Sequence, residues 1–339
     1  MLATLTITTS LSDNGNLFKL YKYPEPPYFN GRFSDGPVWV EYLAVYLQNA
    51  SLEDYAFGGA TANGSNALAG LFSSVLNSSV RIPDLAEQLE MYTNKTGTAQ
   101  ANDLGSALFT VLSGANDFFE SAALSKVPDA KGIAGTLVSF VGRLVSLGAT
   151  KILVAKMPPL EATPSIAKFA QFKSILQLLV STFNEALTTG ISKIAADNPK
   201  VSIVIFDTAA VFNYGTSAEG MKAFELTNTS SRCLSEDKKT PCSDPHSYLF
   251  WDDLHPTTKG HAIIAQAAYN ALTNSSSHFV PKEVNSLPPP PGGVTLRTDQ
   301  DAANPTSNTT STNSKNSAFS HRAVFSMTLL GLFSSALFV

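Results

Sequence analysis

Short apolar runs and longer amphipathic segments alternate along the chain from about residue 5 to residue 272. Continuous apolar runs, typical of strands buried on both faces, predict strands at residues 108–113, 151–155 and 201–206. Apolar residues at helical spacing predict helices at residues 82–92, 133–146, 172–196 and 257–272. Strands that alternate with helices indicate an α/β domain, with a central parallel sheet between two layers of helices. We predict that this domain covers residues 1–278.

The character of the chain changes after the last predicted helix. Residues 279–322 contain four consecutive prolines and are otherwise rich in Ser, Thr and Asn, so they cannot form a hydrophobic core. Residues 323–339 are an uncharged, apolar tail that runs to the last residue. We therefore predict a disordered linker at 279–322 and a separate hydrophobic tail at 323–339.

The apolar tail predicts that the protein is attached to a membrane. Small residues, a polar spacer and a terminal apolar segment resemble the signal for a GPI anchor. The alternative is a short C-terminal membrane span, because 17 residues only just cross a bilayer. The first ten residues, MLATLTITTS, have neither the basic segment nor the continuous apolar run of a signal peptide. Because GPI attachment needs passage through the secretory pathway, we expect the native N-terminus to differ from the written one.

Composition narrows the class of protein. The 339 residues are 44% apolar and carry a net charge of −4 without a basic patch, which argues against a nucleic-acid partner. Seven Asn-x-Ser/Thr sequons favour a secreted or cell-surface protein; they lie at Asn49, Asn63, Asn77, Asn94, Asn228, Asn274 and Asn308. Cys233 and Cys242 are either two free thiols or a short-loop disulfide, and the secretory features favour the disulfide. We expect a monomer.

Four polar patches stand where chemistry is expected in such a fold, at or near the carboxyl ends of strands. They are SLSD at 10–13, YAFGGAT at 55–61, GAND at 114–117 and WDDLHP at 251–256. In this order the patches resemble the SGNH, or GDSL-type, hydrolase family across roughly residues 5–272. The stretches GRFSDGPVWVEYLA (31–44) and PCSDPHSYLFWDDLHPTTKGHAIIA (241–265) are similar to extracellular and fungal secreted members, including acetylesterase-like ones.

The resemblance implies a fold and a catalytic triad. The fold is the three-layer α/β/α, flavodoxin-like fold of the family, and Ser10 matches its nucleophile. A serine hydroxyl needs a base to take its proton, and His255 matches that base. Asp252 matches the family's Asp-x-x-His spacing and would orient the imidazole, with Asp253 as the neighbouring alternative.

The resemblance also implies an oxyanion hole, the set of donors that stabilises the negative oxygen of the transition state. It would combine the Ser10 N–H, the Gly59 N–H and the side-chain amide of Asn116, with Gly58 as the alternative to Gly59. No Cys/His spacing typical of a metal site is present in the sequence, and we predict neither a metal nor a cofactor.

These roles predict a serine ester hydrolase that passes through an acyl-enzyme. The substrate predicted first is a short-chain ester, such as an acetyl ester of a polysaccharide. The alternative functions are hydrolysis of lipid esters and a non-catalytic role at the cell surface. The non-catalytic alternative is motivated by Thr8 and Thr9, which stand where the family has Gly-Asp. Thr8 is β-branched and occupies the position of the family's glycine in the nucleophile turn. Thr9 lacks the carboxylate that the family places beside the serine to brace this turn. We predict a poor or inactive esterase as written, and an active natural product with Gly-Asp restored.

Overall fold

A computed structural model gives the fold of this protein and describes residues 3–62, 64, 79–100, 104–124, 126–167 and 170–273. In these ranges five strands form one parallel sheet, in the order β2-β1-β3-β4-β5. The strands are β1 Ala3–Thr8, β2 Ser51–Asp54, β3 Leu108–Leu112, β4 Lys151–Ala155 and β5 Ser202–Phe206. The order reverses between β1 and β3, and such a switch point is where sites form in open α/β sheets.

Ten α-helices connect or follow these strands in the described part of the chain. They are α1 Asn16–Tyr21, α2 Trp39–Tyr46, α3 Leu85–Gln100, α4 Ala115–Ala123, α5 Ala130–Ser146, α6 Pro164–Ala167, α7 Ala170–Asp197, α8 Thr208–Gly215, α9 Ala218–Ala223 and α10 Thr258–Leu272. Short 3₁₀ turns lie at Phe29–Gly31, Leu160–Ala162 and Pro245–Ser247.

Apolar side chains cover both faces of the sheet. On one face Phe109 and Val111 of β3 pack with helices α3, α4, α5 and α7. On the other face Leu108 and Leu112 pack with α2, α8 and α10. Side chains alternate between the two faces of a strand, so one short run supplies both layers. The predicted three-layer α/β/α fold is therefore confirmed.

The predicted elements agree with the structure in type and differ at their ends. All three predicted strands are present, as β3, β4 and β5, and all four predicted helices are present, as α3, α5, α7 and α10. Helix α3 begins at Leu85 rather than at residue 82, because Asp84 caps it and accepts a hydrogen bond from the Glu87 N–H. Helix α10 begins one residue later than predicted, after Thr257, whose hydroxyl accepts from the Gly260 N–H.

A small second sheet lies beside α10 and carries the cysteines. Strands β6 Asn228–Arg232 and β7 Tyr248–Phe250 pair in parallel, and Cys233 and Cys242 form a disulfide just after β6. The disulfide interpretation of the sequence is thus confirmed, and the free-thiol alternative is wrong.

Several predictions fall on parts of the chain that are not described. They are the linker at 279–322, the tail at 323–339, and the sequons at Asn63, Asn77, Asn274 and Asn308. Of the other sequons, Asn49 and Asn94 are exposed and Asn228 is half-buried. Within the described ranges, no helix combines the length and the apolar character that crossing a bilayer requires.

Candidate active site

Ser10 lies on a tight turn directly after β1, at the switch point of the sheet. The Thr9 carbonyl accepts hydrogen bonds from the N–H groups of Ser12 and Asp13, at 3.0 and 3.1 Å. Thr8 is the last residue of β1 and pairs with Leu112 of β3, and neither Thr8 nor Thr9 has a positive φ. The turn therefore accommodates Thr8, where the family has glycine, without a left-handed backbone conformation.

Asp13 braces the turn after Ser10. Its carboxylate is fully buried and accepts from the N–H groups of Gly15 and Asn16, at 2.8 and 2.6 Å, and from Leu17 at 3.2 Å. It also accepts at 2.8 Å from the N–H of Gly58, which belongs to the loop after β2. Asp13 thus ties the Ser10 turn to the glycine loop, a bracing role that the sequence-based interpretation had missed.

His255 stands between Ser10 and Asp252. Its Nε2 lies 3.0 Å from Ser10 Oγ, and its Nδ1 lies 2.8 Å from Asp252 Oδ2. With the proton on Nδ1 directed at the carboxylate, Nε2 accepts from the Ser10 hydroxyl. The structure therefore brings the three residues together in one hydrogen-bonded row, although Ser10 and His255 are 245 positions apart in the sequence.

Asp252 lies in a turn that folds back on its own carboxylate. Oδ1 accepts from the N–H groups of Leu254 and His255, at 2.8 and 2.7 Å. Burial alone would raise the pKa of Asp252, but the charge and hydrogen bond of His255, helped by Lys238 and the Leu254 N–H, lower that pKa below its usual range. Asp253, the alternative left open by the sequence, points elsewhere and forms an ion pair with Arg232 at 2.5 Å.

The disulfide segment supports the Asp252 turn from outside. The N–H groups of Cys233 and Leu234 donate to the carbonyls of Phe250 and Trp251, at 3.0 and 2.8 Å. The Trp251 N–H in turn donates to the His255 carbonyl at 2.8 Å. Cys233 of the disulfide is therefore bonded to Phe250, which lies two residues before Asp252 in the sequence.

Two aromatic residues beside the row were not identified from the sequence. The Phe33 ring lies against the imidazole of His255, with centroids 4.9 Å apart. The Tyr28 hydroxyl donates to Asp252 Oδ2 at 2.8 Å. Phe33 also explains Gly58, because a Cβ there would lie 2.2 Å from the Phe33 ring. Both residues stand in or next to the conspicuous stretch at 31–44, but no sequence pattern links them to residue 252 or 255.

The expected oxyanion donors lie on the Ser10 turn, on the loop after β2 and in the first turn of α4. Gly59 has a φ of 83°, which favours glycine. Within the described ranges, the N–H groups of Ser10 and Gly59 have no hydrogen-bond partner. The Gly58 N–H is already bonded to Asp13, which leaves Gly59 as the better donor of the two.

Asn116 reaches the glycine loop from the first turn of α4. Its amide donates to the Ala60 carbonyl at 2.8 Å, which leaves one hydrogen of Nδ2 for another acceptor. The neighbouring Asp117 accepts from the Ala62 N–H at 2.9 Å and so fixes the far end of the same loop. Asn116 and Asp117 of α4 therefore hold the glycine loop from one side, and Asp13 holds it from the Ser10 turn.

Comparison with known proteins identifies the class. The family described as GDSL-like lipase/acylhydrolase matches residues 9–268, more than half of the chain. The chain therefore belongs to this family, and its class is that of the carboxylic ester hydrolases.

Three curated relatives span much of the chain. A thermolabile hemolysin of Vibrio parahaemolyticus is 28% identical over 79% of this chain, which spans 63% of that relative. A GDSL esterase/lipase of Arabidopsis thaliana is 25% identical, over 78% of this chain and 85% of its own length. A phosphatidylcholine-sterol acyltransferase of Aeromonas hydrophila is 25% identical, over 76% of this chain and 86% of its own.

Solved structures are similar at a lower level. Axe2, an acetylxylan esterase of Geobacillus stearothermophilus, is 15% identical, with a TM-score of 0.43 over 82% of this chain and 96% of its own. A likeness of this degree says nothing about the substrate.

Proposed function

We propose that this protein hydrolyses carboxylic esters through an acyl-enzyme on Ser10. Ser10 Oγ lies 3.0 Å from His255 Nε2, whose ring is held by Asp252, and this contact is what supports the proposal. Nε2 takes the hydroxyl proton as Oγ attacks the ester carbonyl. The resulting oxyanion accepts from the N–H groups of Ser10 and Gly59 and from Asn116.

The second half of the reaction reverses the direction of proton transfer. The imidazolium gives its proton to the departing alcohol as the C–O bond breaks, which leaves the acyl group on Ser10. A water then loses a proton to Nε2 and attacks the acyl carbon. The carboxylic acid departs, and Ser10 recovers its proton from the imidazolium.

Covalent labelling tests the proposal directly. A fluorophosphonate probe should label the folded protein at Ser10, and the protein should hydrolyse p-nitrophenyl esters. Ser10→Ala should remove labelling and lower kcat by at least about 10⁴-fold. Ser139→Ala, which removes an exposed hydroxyl on α5, is the matched control and should change neither. A folded wild-type protein that neither labels nor hydrolyses any ester would overturn the proposal and favour the non-catalytic alternative.

The first substrate class we propose is the short-chain ester, acetyl esters of polysaccharide included. It is motivated by the likeness of residues 241–265 to acetylesterase-like proteins. Hydrolysis of p-nitrophenyl acetate and acetylated xylan, with a steep fall in rate for acyl chains beyond about four carbons, is the expected result.

A specific feature favours the alternative, a lipid ester. A groove lined mainly by apolar side chains lies between α4 and α7. Its lining includes Phe118, Ala122, Lys126, Val127, Ile166, Phe172, Ile175 and Leu179. Ile166 follows Ser165, whose N–H donates to the carbonyl of Asp253, two residues before His255, at 3.0 Å. The Aeromonas relative is by its name an acyltransferase that acts on phosphatidylcholine, which is a lipid ester.

A groove variant separates the two classes. Ile175→Trp should fill the groove, and if lipids are the substrate it should lower kcat/KM for dodecanoyl esters and phosphatidylcholine about tenfold. Leu147→Trp is the matched control, because Leu147 is 42% exposed and Ile175 46%, but Leu147 does not line the groove. If both variants leave long-chain hydrolysis unchanged, or if long chains are not hydrolysed, the short-chain proposal is the better one.

We also propose that the protein acts outside the cell. The disulfide and the exposed sequons at Asn49 and Asn94 support this location. Native protein should lose mass on treatment with an N-glycosidase, and Asn49→Gln should remove part of that loss. GPI attachment through residues 323–339 stays a prediction, and release of the native protein by a phosphatidylinositol-specific phospholipase tests it. A native protein without glycans would contradict the extracellular proposal.

A further inference from the structure

The hydrogen-bonded row does not end at Asp252. The Tyr28 hydroxyl donates to Asp252 Oδ2 at 2.8 Å, and His255 Nδ1 lies 2.8 Å from the same oxygen and 2.9 Å from Oδ1. Tyr28 is 8% exposed and Asp252 3% exposed, so this contact is shielded from solvent. With Oδ1 occupied by two backbone N–H groups, Tyr28 supplies a donor that the turn itself cannot provide.

We propose that Tyr28 is a positioning residue that acts on Ser10 through Asp252 and His255. The proposal rests on the proposed ester hydrolysis. During acylation the imidazole becomes an imidazolium, and Asp252 must remain ionised and hold the Nδ1–H in line. A second donor on Oδ2 fixes the rotation of the carboxylate. It also reduces the basicity of Oδ2, so the proton stays on Nδ1 rather than moving to the acid.

The direction of the hydrogen bond is set by charge. The pKa of Asp252 lies below its usual range, so its carboxylate is an acceptor. Burial, followed by the Asp252 charge, raises the pKa of the Tyr28 phenol well above its ordinary value, so the phenol keeps its proton and donates. Tyr23, Lys238 and Asp253 are the other titratable groups whose charges act on this pair.

The ring of Tyr28 is held so that its hydroxyl has one position. It packs edge-on against Trp251 and Phe33, with centroids 6.2 and 6.3 Å away. It shares a buried cluster with Trp251, Cys233 and Leu234. Phe33 in turn lies on the His255 ring. Tyr28 therefore joins the disulfide segment to the row, and its hydroxyl cannot leave Asp252 without disturbing this packing.

Tyr28→Phe removes the donor and keeps the ring. We expect kcat to fall about tenfold with KM within about twofold, because a carboxylate that can rotate no longer holds the Nδ1–H in line during proton transfer, whereas the substrate contacts are unchanged. A carboxylate with one donor fewer stabilises the imidazolium more strongly, so the acid limb of kcat/KM should move to higher pH, by about half a unit. Tyr28→Met, which also lacks the hydroxyl, should show the same shift in pH and guards against an effect peculiar to Phe.

Tyr42→Phe is the matched control for a structural effect. Tyr42 is fully buried, and its hydroxyl is 2.7 Å from Thr258 Oγ1, so the variant also loses a buried hydrogen bond but lies outside the row. Both Phe variants should unfold at a lower temperature, and only the Tyr28 variants should move the pH profile. An active wild type with an unchanged kcat and pH profile in folded Tyr28→Phe would overturn this inference alone. A wild type that neither hydrolyses esters nor labels at Ser10 would overturn the proposed function and this inference with it.

Discussion

Two buried aspartates at the same site accept the same number of hydrogen bonds and differ in what faces them. Asp13 accepts from four backbone N–H groups, those of Gly15, Asn16, Leu17 and Gly58. Asp252 also accepts from four groups, two backbone N–H groups, the imidazole of His255 and the hydroxyl of Tyr28. The first set is neutral, whereas the second contains a group that becomes positively charged.

This difference reverses the direction of the pKa shift. For Asp13, burial raises the pKa above its ordinary value, and the four backbone bonds only reduce that effect. For Asp252, burial acts in the same direction but is outweighed, first by the charge of His255 and then by its hydrogen bond. The comparison teaches that the charge of the partner, rather than the number of donors, decides the direction in which the pKa of a buried carboxylate shifts. Asp13 suits a structural brace, and Asp252 suits a base-orienting role.

The largest expected effect belongs to Asp252→Asn. The amide keeps the shape of the side chain but cannot hold the correct tautomer of His255, so kcat should fall by roughly 10⁴-fold. Steady-state hydrolysis of a p-nitrophenyl ester measures it. Asp253→Asn is the control, because Asp253 pairs with Arg232 and not with the imidazole, and its kcat should change less than about threefold. The reverse ranking would assign the triad acid to Asp253.

Asp13→Asn should affect stability more than any step of the chemistry. Its amide nitrogen would face one pair of the four N–H donors, which lowers the free energy of unfolding by about 2–3 kcal/mol. Chemical denaturation measures the loss. Asp129→Asn, at the N-cap of α5, replaces one capping acceptor by another and should change stability by less than about 0.5 kcal/mol. If Asp13→Asn instead kept full stability and lost about 10⁴-fold in kcat, the contrast between a brace and an orienting acid would be wrong.

Asp54 extends the comparison of the buried aspartates to the pH dependence of folding stability. Its Oδ2 is buried without a hydrogen-bond partner among the described residues, and burial, followed by the charge of Asp13, raises its pKa well above the ordinary value. The folded protein then holds a proton that the unfolded chain has lost, so stability from this group falls as pH rises above the ordinary carboxyl range.

Asp54→Asn cannot titrate, and its stability relative to wild type should therefore increase with pH. We expect a difference near zero at pH 4 and a gain of about 1 kcal/mol at pH 8. Thermal unfolding of both proteins across this range measures it. A difference that is constant over the whole range would show that Asp54 is ionised in the folded protein.

The smallest effect is expected at the turn that the sequence marked as defective. Thr8 is fully buried at the end of β1, so Thr8→Gly should cost about 1 kcal/mol of stability and leave kcat within about twofold. The combined Thr8→Gly and Thr9→Asp change tests the original expectation that restoring Gly-Asp raises activity. A gain of tenfold or more in kcat would vindicate that expectation, and would show that the brace from Asp13 does not replace the missing carboxylate.

Residues close together in the sequence were the easiest to interpret. The strands β3, β4 and β5 are buried on both faces, so their apolar runs were continuous and easily recognised. β2 and β6 were missed because they are short and polar, with Ser51 exposed and Glu53 and Asp54 only half-buried in β2. Helices α1, α2, α4, α6, α8 and α9 were missed because nine residues or fewer give too little periodicity.

The sequence by itself determined the class of fold and four of the loops that carry the site, because apolar spacing and residue type are local properties. The family resemblance favoured Asp252 over Asp253 as the partner of His255, but only the structure shows that Asp252 makes the contact. Only the tertiary structure decided that Asp13 holds Gly58, that Phe33 lies on His255, and that Tyr28 donates to Asp252 from 224 positions away. Such contacts depend on how the chain closes over the sheet, and no local pattern records which distant side chain will supply the missing donor.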